Sequence, residues 1–578
     1  MNFSRVLRAS ARHLLVGLVA ASAACGGGFE RFPNEAPMER DGEDFRTYLP
    51  APEAYISPFA WDGSDQMLFR PMARFFAVDP AGEAINVNAL DEVPDSSWFE
   101  NRTSVRPRTL AEVEAGPCTG PPLDPNGPWF ITDAKPNGAN PGFIMKDASG
   151  RRFLLKFDST LQPERATAAD VLGTRIYHAA GFHTPCNRIV FFDRSVLRID
   201  EGATYESGGE ERPMTWEYLE PIFAKAYVRR DGLMRAASSQ FLPGRPLGPF
   251  RYEGTRDDDP NDVVPHEDRR ELRGAIILAA WINHFDSREQ NTLTMWIADE
   301  DDAPGYVRHH IIDFGDSFGS LWAWDSISRR FGHAAYFDLR TLFADFATLG
   351  VIRRPWEDAE FGPAGQVLGY FTTEHLDPVD YEPGYPNPAF LRASDRDQAW
   401  MARILADITP PMIDVIVDGG EFENVDADRQ LRDVLRGRRM ALLNHWLRVR
   451  SPLARPVIEV GDAGARLCMR DLAVSSGVVP EWEARPYWST AYRHEGGDRL
   501  EPLETGAMAR RPPDVVCVGL PAAGGTPEQP AYLIVDVGAR ELDRDAATIA
   551  RVHLYELSAG QYRIVGLERP GDLSPPGE

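Results

Sequence analysis

Between Trp281 and Gly315 the chain reads WINHFDSREQNTLTMW, then an acidic break, then YVRHHIIDFGDSFG. Asp286 and Asn291 stand five residues apart, just after an apolar helical run, and Asp313 ends a short hydrophobic strand 22 residues beyond Asn291. A carboxylate that can take a proton, an amide that can hold Mg²⁺ and a second carboxylate for the same ion are the minimum protein set for phosphoryl transfer from ATP. Asn suits the metal position because it supplies an oxygen without adding negative charge. Upstream, GRRFLLKFD places Lys156 on a strand among apolar neighbours. An isolated ammonium there needs an anion, and either a phosphate or a carboxylate meets the need. The expected roles are a proton acceptor in Asp286, a phosphate-holding Lys156, and Asn291 with Asp313 as metal ligands. A helix cap followed by an Asn turn is the rival reading of Asp286 and Asn291, and Asp313 weighs against it.

These groups need elements to hold them. WFITDAK reads as a strand, and PNGANPG as a flexible loop carrying Gly138 and Gly142. FIMKDAS and RRFLLKF read as two further strands joined at Gly150. A glycine loop between strands can turn backbone N–H groups toward phosphates, although a plain hairpin has the same look. The next segment, PERATAADVLGTRIYHAAGF, predicts a helix with Pro163 and Glu164 in its first turn and Ala169, Leu172, Ile176 and Ala180 on one face. Asp170 is the preferred partner for Lys156, because a mid-helix Asp is costly without a reason. Glu164 is the alternative, but the helix dipole already accounts for it. In ASSQFLPGRPLGPF a strand runs into a bend at Pro243 and Gly244, and Gln240 through Leu242 could offer backbone groups to an adenine edge. RRELRGAIILAAWINHF predicts a buried helix that delivers Asp286 at its end, with Gly315 expected to turn the chain sharply after Asp313. Arg256, His266, Arg269, Arg270 and Arg273 precede the catalytic stretch and could orient phosphate or an acidic substrate, but by default they pair with acids of the same run. Arg438 and Arg439, in QLRDVLRGRRMALLNHWLRV, are expected to be solvated or paired.

The 578 residues carry a formal charge of -25, which disfavours nucleic acid as a partner. Their length allows several domains. Arg5, Arg8, Arg12 and His13 precede an apolar run, LLVGLVAASAA, ending at Cys25. The run is too short for a permanent membrane helix and is flanked like a signal peptide. Cys25 after Ser22, Ala23 and Ala24 resembles a bacterial lipobox, which implies lipidation of Cys25 and an envelope address at the outer or cytoplasmic membrane. Gly26 carries no acidic retention signal and points to the outer one. Among Cys118, Cys186, Cys468 and Cys517, an oxidising envelope permits two disulfides, with Cys468–Cys517 the first pair to test. Four free thiols are the alternative, and the absence of CxxC argues against thiol redox chemistry. The organisation expected is α+β: a signal peptide over 1–25, a tether and irregular extension over 26–125, a β-rich nucleotide lobe over 126–249, a helical catalytic lobe over 250–450 and a small β-rich domain over 451–578.

The order of these motifs (glycine loop, strand Lys, helix acid, linker, D-x4-N, Asp-Phe-Gly) resembles the protein-kinase-like fold in its atypical branch. It is similar to the HipA-type kinases and more loosely to secretory-pathway and spore-coat kinases; AAGFHTP also resembles the HipA-type helix that carries the ion-pair acid. The resemblance covers roughly residues 127–450. It implies a two-lobed core, ATP, Mg²⁺ and transfer to a hydroxyl of a protein, sugar or lipid. The chain departs from the pattern at three places. His284 and Phe285 stand before Asp286 in place of an HRD triplet, Asp170 stands where Glu is usual, and ADEDDAPG lengthens the segment between Asn291 and Asp313. The whole also has the look of a group of bacterial envelope proteins with no assigned activity. An Mg²⁺-dependent phosphotransferase is therefore the leading expectation. A silent or AMP-transferring relative and a partner-binding envelope lipoprotein are its alternatives.

Overall fold

A computed structural model describes residues 31–55, 59–76, 82–135, 140–207, 210–300, 302–462, 464–481, 485–497, 499–540 and 547–570. Cys25 and Gly138 lie outside the described residues. The architecture is mixed α+β with several sheets.

One sheet has seven strands: β1 (Trp129–Ala134), β2 (Gly142–Lys146), β3 (Arg152–Phe157), β4 (Asn187–Phe192), β5 (Leu197–Ser207), β6 (Glu210–Pro213) and β7 (Met234–Gln240). Their order is β4-β7-β3-β2-β1-β5-β6. Only β1 and β5 pair in parallel; the other neighbours are antiparallel. Side chains alternate along β3, so Phe153, Leu155 and Phe157 join Trp129, Phe143 and Met145 in a core on one face. Lys156 is thereby sent to the other face. Helix α1 (Arg165–Ala180) packs there across β3, β4 and β7. Its buried alanines, including Ala168, Ala169 and Ala180, let the backbone approach closely.

Glu164, expected in the first helical turn, instead precedes α1 with a left-handed backbone at φ 68. Its carboxylate accepts from the Glu423 and Asn424 N–H groups at 3.0 and 3.2 Å. Those groups lie at the start of a long helix and need an acceptor, so Glu164 is occupied there, and Lys156 takes other partners.

A second core gathers the helices. In α2 (Arg270–Ile282) every residue is buried, and α2 packs against two later helices, Asp395–Asp407 and Val425–Val449. Arg438 and Arg439 correct the sequence expectation. Both are buried, and they donate to the last carbonyls of helices: Arg438 to Ala280 and Trp281 at 2.6 and 2.9 Å, Arg439 to Ala406 at 2.7 Å. A helix end buried in a core needs such donors; Arg438 secures the end of α2 from which Asp286 departs, and Arg439 the end of Asp395–Asp407. Beside it, β8 (Arg245–Gly248), β9 (Thr292–Ile297) and β10 (Tyr306–Ile311) form a sheet in the order β10-β9-β8.

The segment from 82 to 109 is irregular, but it is part of this core rather than a free tether. Val93, Trp98 and Phe99 are buried within it. Asp91 pairs with Arg270, with Arg403 at 3.3 Å and with Arg569 at 2.8 Å. Arg270 and Arg273 also meet Asp397 at 3.2 and 3.4 Å, so these arginines serve as internal struts.

Beyond residue 452 a four-stranded and a five-stranded sheet enclose a third core containing Leu467, Val516, Leu533 and Val552. Disulfides join Cys468 to Cys517 and Cys118 to Cys186. Glu459 lies near the first pair, but oxidised sulfurs offer no thiolate, so this trio does not make a metal site. Among the described residues no helix is long and apolar enough to cross a membrane.

Candidate active site

The β3 lysine and the strand-end aspartate, 157 residues apart in sequence, meet directly. Lys156 Nζ lies 2.7 Å from Asp313 Oδ1 and 3.0 Å from Asp170 Oδ2. Burial alone would lower the Lys156 pKa, but Asp170 and then Asp313 hold it above its ordinary value. The two acids are not equivalent. Asp170 is 3% exposed and burial raises its pKa against the pull of Lys156, whereas the Asp313 side chain is 40% exposed. Burial would raise Asp313 too, but the Lys156 ammonium outweighs it and holds that carboxyl at about 2. Asp170 also accepts from the Phe314 N–H at 2.9 Å, which ties α1 to the residue after Asp313.

Asp286 and Asn291 lock to each other. Asn283 caps α2 with a left-handed φ of 54, and His284 and Phe285 lead out to Asp286. Asn291 Nδ2 donates to the Asp286 carbonyl at 2.8 Å and to Asp286 Oδ2 at 2.9 Å. With its N–H groups turned to Asp286, the Asn291 amide oxygen is left as the coordinating end. Arg288 Nε sits 3.0 Å from Asp286 Oδ1. Burial drives the Asp286 pKa up to about 7; Arg288 opposes this, and Asp316 and Asp313 add to it.

The hairpin register joins the two halves of the site. Thr292 pairs with Ile311, and Ile312 donates to the Asn291 carbonyl at 3.0 Å, so Asn291 and Asp313 leave the sheet side by side. The sharp turn expected of Gly315 is made by Asp313 itself, whose φ is 57. An ordinary side chain seldom adopts that conformation, and Asp tolerates it better than most. Gly315 has a different role. A Cβ there would come within 3.2 Å of the Asn140 amide and 3.3 Å of Asp313 Oδ1. Gly173 similarly leaves room for Phe314, because a Cβ there would fall 2.5 Å from that side chain.

Gly142 stands on β2 opposite Lys156, where a Cβ would lie 2.2 Å from the Leu155 carbonyl oxygen. Close strand approach is thus a sufficient reason for this glycine. Gln240 ends β7 with its N–H donated to the Cys186 carbonyl at 3.0 Å, and Leu242 lies beyond it in the bend between β7 and β8.

Several neighbours escaped the sequence reading. Lys135 precedes the glycine loop and donates to the Asn140 carbonyl at 3.0 Å; burial and then the charge of Lys156 lower its pKa. Its place as the final residue of WFITDAK was the available signal. Arg165 donates to the Gly315 and Ser317 carbonyls at 2.7 and 2.9 Å, and Gln162 to the Gly319 carbonyl at 3.0 Å. Together they brace the loop that follows Asp313. Asp316 did not escape it: its place in DFGDSFG suits a metal residue or a surface turn equally. It accepts from Ser320 Oγ at 3.3 Å, and burial raises its pKa, with Arg165 opposing.

The donor set fits a hard divalent cation. The Asn291 amide oxygen, the exposed Asp313 carboxylate and nearby Asp316 are oxygen ligands of low number, the pattern Mg²⁺ accepts when it keeps waters and shares phosphates. The charges of Asp316 and Asp313 raise the Asp286 pKa, and that of Asp313 raises the Asp316 pKa; a cation would relieve this. No family model matches the chain, and comparisons with curated proteins and with solved structures find no match either.

Proposed function

We propose that the chain is a two-lobed, kinase-like phosphotransferase that moves the γ-phosphoryl group of ATP to a hydroxyl. Residues 126–249 would form the nucleotide lobe and 250–450 the catalytic lobe, with the β-rich residues 451–578 appended. The observation that carries this reading is Lys156 held between Asp170 and Asp313 while Asn291 is held by Asp286. A purely structural ion pair needs one acid. Here the second acid is 40% exposed and close enough to Asp286 to help raise that carboxyl's pKa.

Asp170 keeps Lys156 extended toward the cleft, where its ammonium can exchange Asp313 for phosphate oxygens. Asp313 and Asn291 would hold Mg²⁺, which supplies charge neutralisation between the phosphates when bound. Asp286 orients the acceptor hydroxyl and takes its proton as the oxygen–phosphorus bond forms and the bond to the leaving ADP oxygen breaks. With a pKa at about 7, its basic form is available near neutral pH. Lys135, near Lys156, would add a second positive charge toward the phosphates. The N-terminal sequence supports lipidation at Cys25 and an envelope address, so the acceptor would be a protein or small molecule met there.

Calorimetry on the purified chain tests the reading. Mg²⁺–ATP binds to the wild type, Lys156→Ala weakens it, and Asp313→Ala removes its metal dependence. Labelled γ-phosphate then appears on an acceptor; labelled AMP there would instead mark nucleotide transfer. Absence of ATP binding with both Mg²⁺ and Mn²⁺ refutes the proposal and favours a partner-binding role.

A further inference from the structure

A cavity of about 370 Å³ lies apart from the residues proposed for phosphotransfer: none of Lys156, Asp286, Asn291 and Asp313 lines it. Its size is that of a small-molecule site, which runs from about 300 Å³ upward. Segments distant in sequence wall it. On one side lies the stretch ending at Tyr55, whose N–H donates to the Leu247 carbonyl at 2.8 Å. Gly248, with φ 98, permits this approach, because a Cβ there would overlap the Tyr55 carbonyl. Asp62 and Arg70 come from the helical residues that follow. Pro249 and Phe250 continue from the end of β8, and Thr294 and His309, paired across β9 and β10, complete the wall.

The charges of this lining do not cancel. Five carboxylates (Glu53, Asp62, Asp257, Asp258 and Glu289) face three guanidiniums (Arg70, Arg251 and Arg256). Arg70 meets Glu289 at 2.5 Å and Arg256 meets Asp258 at 2.7 Å. His266 is held by Asp262 at 2.7 Å. Among the described residues Glu53, Asp62 and Asp257 make no ion pair, and only Arg251 is left to oppose them. The neighbouring chain keeps the same sign: residues 41–70 hold six acids and two arginines, and 245–273 eight acids and six arginines. Asp62 is the decisive group. It is 9% exposed, yet its carboxylate has no hydrogen-bond donor among the described residues. Burying a carboxylate without a partner is costly. Thr294, 1% exposed, adds a hydroxyl that also has no partner.

We propose that this cavity binds an aliphatic ammonium ion of the diamine or polyamine class. One ammonium would meet Asp62 and Thr294, the hydrocarbon would lie along Pro249 and Phe250, and a second ammonium would meet the exposed acids Glu53 and Asp257. The uncompensated charge repels an anion. A bare metal ion needs its ligands gathered around one point, and among the described residues no three of these acids are close enough to share one. A cation whose charges are spread along an apolar body answers both conditions. The Tyr55 ring already carries the Arg251 guanidinium over its face at 5.8 Å, so the wall accommodates positive charge. The proposal is independent of phosphotransfer and survives if that fails.

The test titrates putrescine and spermidine into the purified chain by calorimetry. Each should bind at one site per chain, and butane-1,4-diol, the uncharged counterpart of putrescine, should not. Asp62→Asn should weaken binding about tenfold or more, as expected for a charged hydrogen bond. The same variant should leave the melting curve without amine in place, because Asp62 makes no bond that the substitution breaks. Arg251→Gln should tighten binding severalfold by removing the one opposing charge. An affinity that Arg251→Gln leaves unchanged or weakens overturns the charge argument, even if Asp62→Asn unfolds the segment. Absence of binding by both amines overturns the proposal. So does binding that Asp62→Asn leaves intact, which would mark diffuse attraction to an acidic surface, and so does displacement of spermidine by Ca²⁺ one for one, which would assign the acids to a metal.

Discussion

Replacing Lys156 with Met removes one charge and keeps most of the side-chain volume, so its cost reports on what the ammonium neutralises. Asp170 is the partner that matters, being 3% exposed and 3.0 Å away, whereas Asp313 is open enough for water to take over. Breaking a buried pair by removing one member costs about 3–5 kcal/mol. The Phe314 N–H still holds one Asp170 oxygen, which favours the lower end, about 3 kcal/mol. The loss must depend on pH. Burial already raises the Asp170 pKa and Lys156 opposes that rise, so without Lys156 it climbs further. A carboxyl whose folded pKa is raised is tolerated when protonated at low pH, and its penalty appears as pH increases through that pKa. Lys156→Met should therefore cost little at pH 5 and most at pH 8. Adding Asp170→Asn should restore most of the loss, since the amide oxygen can still accept from Phe314. Hydrogen exchange of peptides covering β3 and α1 measures this locally, which suits a chain with several cores. A loss that is equal at both pH values, or a double variant no better than Lys156→Met, would refute the buried-carboxylate argument.

Asp286→Asn should leave Mg²⁺–ATP affinity near wild type in calorimetry and reduce labelled phosphate transfer by about 10²-fold or more. In the wild type, transfer should rise with pH through about 7, because the Asp286 base must be ionised and burial has moved its pKa there; a flat profile would remove it from the proton path. Gly142→Ala should destabilise the β2–β3 pair by about 1–3 kcal/mol, read as faster exchange in both strands, since its Cβ would meet the Leu155 carbonyl oxygen at 2.2 Å. Removing the Cys468–Cys517 bridge by paired Ala substitution should lower stability by about 2–4 kcal/mol, followed by chemical unfolding of the C-terminal sheets.

Features resting on short-range contacts could be read from the chain. The Asp286–Asn291 lock closes over five residues, the β9–β10 hairpin is local, and the period of β3 sends Lys156 away from its apolar neighbours. Asp170, 14 residues after Lys156, was legible because a mid-helix carboxylate demands a partner. Tertiary contact alone decided the rest. Glu164 looked like a dipole-satisfying first-turn acid until the fold carried it to residues 423 and 424. Arg438 and Arg439 looked solvated, yet two helix ends some 160 and 33 residues earlier needed their donors. Glycine types at 142, 173 and 315 were visible, but the atoms that forbid a side chain there belong to other segments. In the helix Leu339–Thr348 an apolar stripe of Leu339, Leu342, Phe343 and Phe346 is written in the sequence, but periodicity marks only which residues share a face. Whether that face meets a core or water depends on where the rest of the chain has gone, and here it leaves the stripe outside.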